Sequence, residues 1–298
     1  SSTVSWGSEM CIRDSSKEMT KGRLYGIGAG LDIAGLRFMA VLSIIIYMVT
    51  HLSEKEEKKY SLLYIAAFFI IALIGNMISR STVFGVFISL AYLIIASIFK
   101  FSQKDIIKRI WKKFLLLMGA LILGVIVLYQ ANSSFRNSMH FGFEGFFSLY
   151  EKGQWEVSSN NSLIWMLKNI KPENTRTWII GDGYCGDPNN DPYYIGPQPK
   201  GGYYMGTDVG YMRFIFYFGV IGTLIFMIYF YQVACVCGSY FPKYKDMFFL
   251  ILVCNFIGWI KVSTDIFCVF ALFLAVHLVM ETTNVDKIGL SQKYLIDD

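Results

Sequence analysis

Long apolar blocks without charge constrain this chain more than any other feature. Residues 114–130 and 214–240 contain no Asp, Glu, Lys or Arg. A helical apolar run of about 17 residues or more is long enough to cross a hydrocarbon layer of roughly 30 Å. A soluble domain with 54% hydrophobic residues would mix them with polar positions at helix or strand period. Here they are blocked at 36–52, 61–78, 83–99, 114–130, 214–236, 247–262 and 266–280. The pattern predicts an all-α polytopic membrane protein with about seven transmembrane helices and one large extracytoplasmic loop. The last two blocks are short and joined by Ser263-Thr264-Asp265, so a hairpin that does not fully cross remains open.

The blocks divide the chain into four transmembrane helices over 16–130, a large loop over 131–212, three more helices over 213–280 and a cytoplasmic tail over 281–298. Residues 1–15 show neither helix nor strand period and resemble translated adapter sequence. They are read as a non-native leader, with the chain as the C-terminal part of a longer protein.

Basic residues set the expected orientation. Lys55, Lys58 and Lys59 follow the first block, and Lys100, Lys104, Lys108, Arg109, Lys112 and Lys113 follow the third. Lys243 and Lys245 follow the fifth. With alternating spans these groups share one side, which the positive-inside rule makes cytoplasmic. The long loop then lies outside. The net charge of +5 is modest and sits in short links, so nucleic acid is not an expected partner. Membrane lipid is. Phe143–Lys152 and residues 162–170 read as short helices in the loop, and 178–204 as irregular.

Cys235, Cys237, Cys254 and Cys268 lie in apolar blocks and read as small packing side chains; Cys185 has no loop partner. There is no P-loop, dinucleotide fingerprint or zinc pattern, so neither cofactor nor metal is expected.

Candidate chemistry gathers at the edges of the blocks. Arg37 opens the first, Arg80 lies between the second and third, and Arg213 opens the fifth. Each is either an interfacial anchor or an anion site, because a guanidinium fork fits a diphosphate at two points. Ser81 and Thr82 are placed to cap the third helix and add its N-terminal partial charge. The stretch 202–213 holds Tyr203, Tyr204, Asp208 and Arg213. Asp208 reads as a helix cap or as a carboxylate that takes a proton from a sugar hydroxyl. Tyr204 is a candidate sugar-stacking ring, although an interfacial aromatic belt accounts for most such residues. His140 is the one histidine of the loop, and Asp182 in Gly181-Asp182-Gly183 reads as a turn.

Taken in order, residues 31–38 (LDIAGLRF), 78–85 (ISRSTVFG), 143–149 (FEGFFSL), 178–184 (WIIGDGY) and 203–222 (YYMGTDVGYMRFIFYFGVIG) resemble the O-antigen polymerase and ligase superfamily. They are most similar to the Wzy-like polymerases of Bacteroides-type bacteria. The resemblance implies a GT-C-like helical fold without metal. It implies polymerisation of undecaprenyl-diphosphate-linked repeat units into O-antigen or capsular polysaccharide at the periplasmic face of the bacterial inner membrane. A chain-length-determinant protein is a further implied partner. Arg80 matches the family arginine at the loop end of a span; from their own positions Arg37, Arg213, Tyr204 and His140 join it as candidate diphosphate or glycan contacts. Ligases carry a histidine before the Gly-x-x-Gly span, where this chain has Asp208, which favours polymerase over ligase. Transfer of finished polymer to lipid A core, or transport, are the rival activities. Transport is disfavoured by spans nearly free of charge at their centres.

The topology is testable with single cysteines near Lys104 and Gly153 in a cysteine-free background. An impermeant thiol reagent on spheroplasts is expected to label the Gly153 site alone. Labelling at Lys104 instead inverts the orientation.

Overall fold

The computed structural model describes residues 31–99, 104–184 and 204–276. The leader, the start of the basic group after the third block at 100–103, Cys185, Tyr203 and the end of the last block with the tail lie outside these residues. The described residues form helices α1 (Leu31–Thr50), α2 (Glu54–Ile78), α3 (Thr82–Phe99) and α4 (Lys104–Ala131). The loop carries α5 (Ser133–Gly142), α6 (Glu144–Lys152), α7 (Ser158–Asn169) and α8 (Thr175–Ile180). It is followed by α9 (Gly210–Tyr240), α10 (Lys245–Gly258) and α11 (Phe267–Val276).

Among the described residues five helices are long and apolar enough to cross a membrane: Ile33–Thr50, Glu54–Ile78, Thr82–Phe99, Asp105–Ala131 and Gly210–Tyr240. Their outward faces are apolar, as with Leu63 on α2, Phe87 on α3, Leu116 and Val127 on α4 and Ile225 on α9. Water would penalise so much exposed hydrocarbon, whereas lipid accepts it. The chain is a multi-pass membrane protein. The 14 residues of α10 rise only about 21 Å, short of a roughly 30 Å layer.

Helix α1 is the central post. One face, with Leu42, Ile46 and Val49, packs against Ile65 and Phe68 of α2, Leu93 of α3 and Phe114 of α4. The other, with Leu36, Met39 and Tyr47, packs against Phe214 and Phe230 of α9, Phe248 and Ile251 of α10, and Phe270 of α11. Close approach is possible because α3 presents Gly85 to α1: a Cβ there would lie 2.5 Å from the Met39 Cα. Small residues at such crossings let dispersion act between backbones where lipid supplies no hydrophobic drive.

The basic groups expected in links instead continue the helices outward. Lys108, Arg109, Lys112 and Lys113 form the first turns of α4, and Lys55, Lys58 and Lys59 those of α2. They remain helical because charge pairs across the two helices. Buried Glu57 accepts from Arg109 Nε at 2.9 Å and from Lys113 Nζ at 2.6 Å. A Ser53–Glu56 capping box starts α2.

Helix α9 is broken at Gly219, with φ 68° and ψ −177°. In an unbroken helix the Phe216 and Tyr217 carbonyls would accept from residues 220 and 221. Here they accept from the backbone N–H groups of Asp182, at 2.6 Å, and Gly183, at 3.2 Å. Thr223 Oγ1 donates to the Gly219 carbonyl at 2.7 Å. The loop segment after α8 thus supplies donors that a membrane cannot. Residues 220–240 alone rise about 31 Å, enough for a full span.

The piece 210–218 turns off that axis. Phe214 and Phe226 would be about 18 Å apart along a straight helix, yet their ring centroids are 5.6 Å apart and both rings meet Trp259. The Tyr211 N–H donates to the Trp259 carbonyl at 2.9 Å. The start of α9 therefore rests on the turn between α10 and α11.

A Cβ at Gly219 would lie 2.2 Å from the Ile179 carbonyl oxygen, on a backbone that disfavours any side chain. Gly219→Ala is expected to abolish folded protein in the membrane. Gly124→Ala, with no atom within 4 Å, is expected to leave its level unchanged. Detergent-extracted monodisperse protein measures both, and a normal level for Gly219→Ala would remove the break as a requirement of folding.

Candidate active site

All the candidate residues lie at the loop end of the helix bundle. The 79–81 hairpin exists because α2 ends on Ser79, whose extended backbone turns the chain while its N–H donates to Gly75. Ser81 and Thr82 do not cap α3 through their side chains. Their buried hydroxyls make no hydrogen bond among the described residues. They pack instead: Cβ atoms built at Gly35 and Gly75 would meet Ser81 and Thr82 respectively. This contact brings the start of α1 beside the hairpin. Arg37, two residues beyond Gly35, is exposed.

Arg80 points into the loop helices. Its Nη1 forms an ion pair with Glu144 in the first turn of α6 and donates to Ser159 Oγ of α7 at 3.2 Å. The Phe141 ring lies 4.3 Å from its Cζ, a cation–π contact. Arg80, His140, Phe141, Glu144, Phe147, Glu151 and Asn161 help to line an open cavity of about 560 Å³. His140 is fixed in its wall by stacking on Phe147 at 4.0 Å and by a 2.7 Å hydrogen bond between Nε2 and Tyr129 Oη. Lys152, at the rim, is held protonated by its hydrogen bond to Glu156, which raises its pKa.

Asp208 and Arg213 are also brought together, at 2.8 Å. Val209, not Asp208, is the N-cap of α9, and no side chain caps that helix. Asp208 spends one carboxylate oxygen on Arg213 and keeps its side chain 61% exposed. Arg213 is buried and forked: Nε donates to the Thr207 carbonyl at 2.8 Å and Nη1 to Ser263 Oγ at 3.1 Å. It ties the loop's return to the α10–α11 turn.

Tyr204 is buried rather than open for sugar stacking. Its hydroxyl donates to Asp182 at 3.1 Å and its ring stands edge-on to Phe216 at 5.6 Å. Asp182 also accepts from Thr177 Oγ1 at 2.7 Å. The Gly-Asp-Gly turn is present, with positive φ at both glycines. Its aspartate is in addition the joint between α8, α9 and the 204–206 turn.

The two arginine clusters meet one face of α7. Ser159 touches Arg80, and Met166 Sδ accepts from the Asp208 N–H at 3.4 Å. Residues seven apart on a helix share a face, about 10 Å from each other. Sequence reading missed Glu144, Ser159 and Met166, since nothing local signals their pairing.

Fold and site together define a polytopic membrane protein with a polar chamber at one end, roofed by short loop helices. A model of the O-antigen polysaccharide polymerase Wzy family matches residues 32–182, just over half of the chain, and the chain belongs to that family. It is thereby a glycosyltransferase-like polymerase of O-antigen. The match takes in Arg37, Arg80, His140, Glu144 and Asp182. No curated protein and no solved structure matches the chain.

The partners of Arg213 separate its role from that of Asp208. Arg213→Ala removes hydrogen bonds from a buried charge and is expected to cost about 3 kcal/mol. Asp208→Asn disturbs only a half-exposed pair and is expected to cost under about 1 kcal/mol. Thermal unfolding in one detergent compares them; equal losses would contradict the structural assignment of Arg213.

Proposed function

We propose that the chain joins undecaprenyl-diphosphate-linked repeat units at the loop end, on the periplasmic face of the bacterial inner membrane. The observation that carries this reading is Arg80, set by Phe141 and Ser159 at the wall of a polar cavity at the membrane edge. A diphosphate is a good leaving group once its charge is held, and a guanidinium holds it at two points.

In this reading the lipid diphosphate of the donor chain sits on Arg80, and Arg37 and His140 flank it. The acceptor hydroxyl lies toward Asp208. Arg80 and the Asp208 backbone meet α7 at positions about 10 Å apart along its axis, a spacing on the scale of a diphosphate, the anomeric carbon and the attacking oxygen in series. Asp208 takes the hydroxyl proton while the sugar oxygen bonds to the anomeric carbon. The bond from that carbon to the diphosphate oxygen breaks, and the electron pair leaves with the phosphate held by Arg80. Arg213 and Tyr204 act at a distance, by holding the 204–208 segment in place. A chain-length-determinant protein is the partner that would set how often the cycle repeats.

The test is polymerisation in vitro by purified full-length protein from a synthetic lipid-linked repeat. Arg80→Ala is expected to make no polymer at a normal membrane level, and Arg80→Lys a fraction, since an ammonium lacks the two-point fork. Asp208→Asn is expected to fold normally and make little polymer. Wild-type chain lengths from Arg80→Ala would reduce that residue to a helix anchor.

A further inference from the structure

We propose that Glu144 is an internal competitor for Arg80: it holds the guanidinium between turnovers and, by returning, expels the spent lipid diphosphate. This inference rests on the reading of Arg80 as the diphosphate site.

A carboxylate and a phosphate engage a guanidinium through the same fork, so the two exclude each other at a shared nitrogen. Glu144 occupies Nη1 of Arg80. Two further contacts of that side chain do not depend on Glu144. Phe141 lies against Cζ, and Ser159 accepts from Nη1. The guanidinium therefore keeps its place when the carboxylate leaves. Glu144 also has a partner besides Arg80, one that it can keep when the ion pair opens. Ser158 Oγ lies 3.5 Å from the same oxygen, Oε2, that faces Arg80. The first turn of α6, where Glu144 sits, favours a negative side chain through its backbone N–H groups. Both partners are partly exposed, at 17% for Arg80 and 34% for Glu144. Water can thus follow the exchange, and neither charge is left in a dry interior.

The exchange solves a problem that the chemistry sets. An arginine that stabilises the leaving diphosphate also binds the product that carries it, and product release limits many enzymes. A tethered carboxylate at high effective concentration speeds that release without touching the bond-making step.

The experiment uses purified full-length protein in nanodiscs of neutral lipid, with a fluorescent polyprenyl diphosphate as probe. Glu144→Gln is expected to bind the probe roughly tenfold more tightly, the equivalent of about 1.4 kcal/mol. In polymerisation it should show a burst of about one transfer per enzyme followed by a slow steady rate, the signature of limiting product release. Glu144→Asp, whose carboxylate is drawn back by one methylene, should give an intermediate gain and decides the matter if the Gln variant does not fold. Unchanged or weaker binding in these variants, with Arg80→Ala still losing probe and polymer, overturns the competitor role alone. Retention of both by Arg80→Ala overturns the diphosphate reading beneath it. Equal competition by phosphatidylglycerol would make Arg80 a headgroup anchor and overturn the proposal.

Discussion

A backbone carbonyl inside a membrane must find a donor from the protein, and the architecture of the loop end follows from that requirement at Gly219. The break in α9 frees two carbonyls at the outer end of its 220–240 run. The amides of Asp182 and Gly183 meet them. The contact is backbone to backbone, which is why glycine occupies both sides of the crossing. A Cβ at Gly181 would lie 2.4 Å from the Tyr217 carbonyl oxygen, and one at Gly219 would strike residue 179. The large loop is consequently part of the membrane fold rather than an appendage above it.

From that junction the remaining contacts run outward in order. Asp182 donates its N–H to α9 and accepts from Tyr204 through its carboxylate. The Tyr204 turn contains Met205 at φ 58°, a left-handed conformation that costs of order 1–3 kcal/mol in a residue with a side chain. Such a conformation persists where its surroundings hold it, here the buried Tyr204 on one side and Thr207 on the other. Thr207 gives its carbonyl to Arg213, and Arg213 reaches Ser263. A single chain of bonds thus links α8, the return of the loop and the short α10–α11 turn. Arg213 is buried beside that turn. A buried charge needs internal partners, and Arg213 finds Thr207, Asp208 and Ser263 among the described residues.

Five of the seven expected spans were legible in the sequence because each is a continuous apolar block, while the blocks at 247–262 and 266–280 form only short helices among the described residues; the family was legible in motifs that occur in order. The stretch that holds Asp208 and Arg213 stood out in the sequence, but their 2.8 Å ion pair did not. Their roles were not legible, since the choice between cap and ion pair turns on whether the helix starts at Gly210 or one residue earlier. The charged helix ends were misread as links. Glu57 finds Arg109 and Lys113 at separations of 52 and 56 residues, which no local period reveals. Gly-Asp-Gly was legible as a turn, but its bonds to a carbonyl 34 residues away were not, because backbone partners leave no trace in side-chain pattern. The pairing of Arg80 with Glu144 was hidden for a like reason: each was visible at an element's edge, and only the fold of the loop joins them.

Two arginines with the same sequence signature thereby part company on physical grounds. Arg213 is buried and spends its fork on a backbone carbonyl, a serine and a carboxylate, so an incoming anion would have to break a set of bonds that the fold needs. Arg80 lines a cavity and pairs with the partly exposed Glu144, while an aromatic ring and a hydroxyl help to fix its direction. Replacing Glu144 by a diphosphate leaves those two supports in place. Affinity for a substrate requires a charge that the fold orients where an anion can reach it, and of the two residues Arg80, partly exposed at the cavity wall, is the one that the proposed reading puts under the diphosphate.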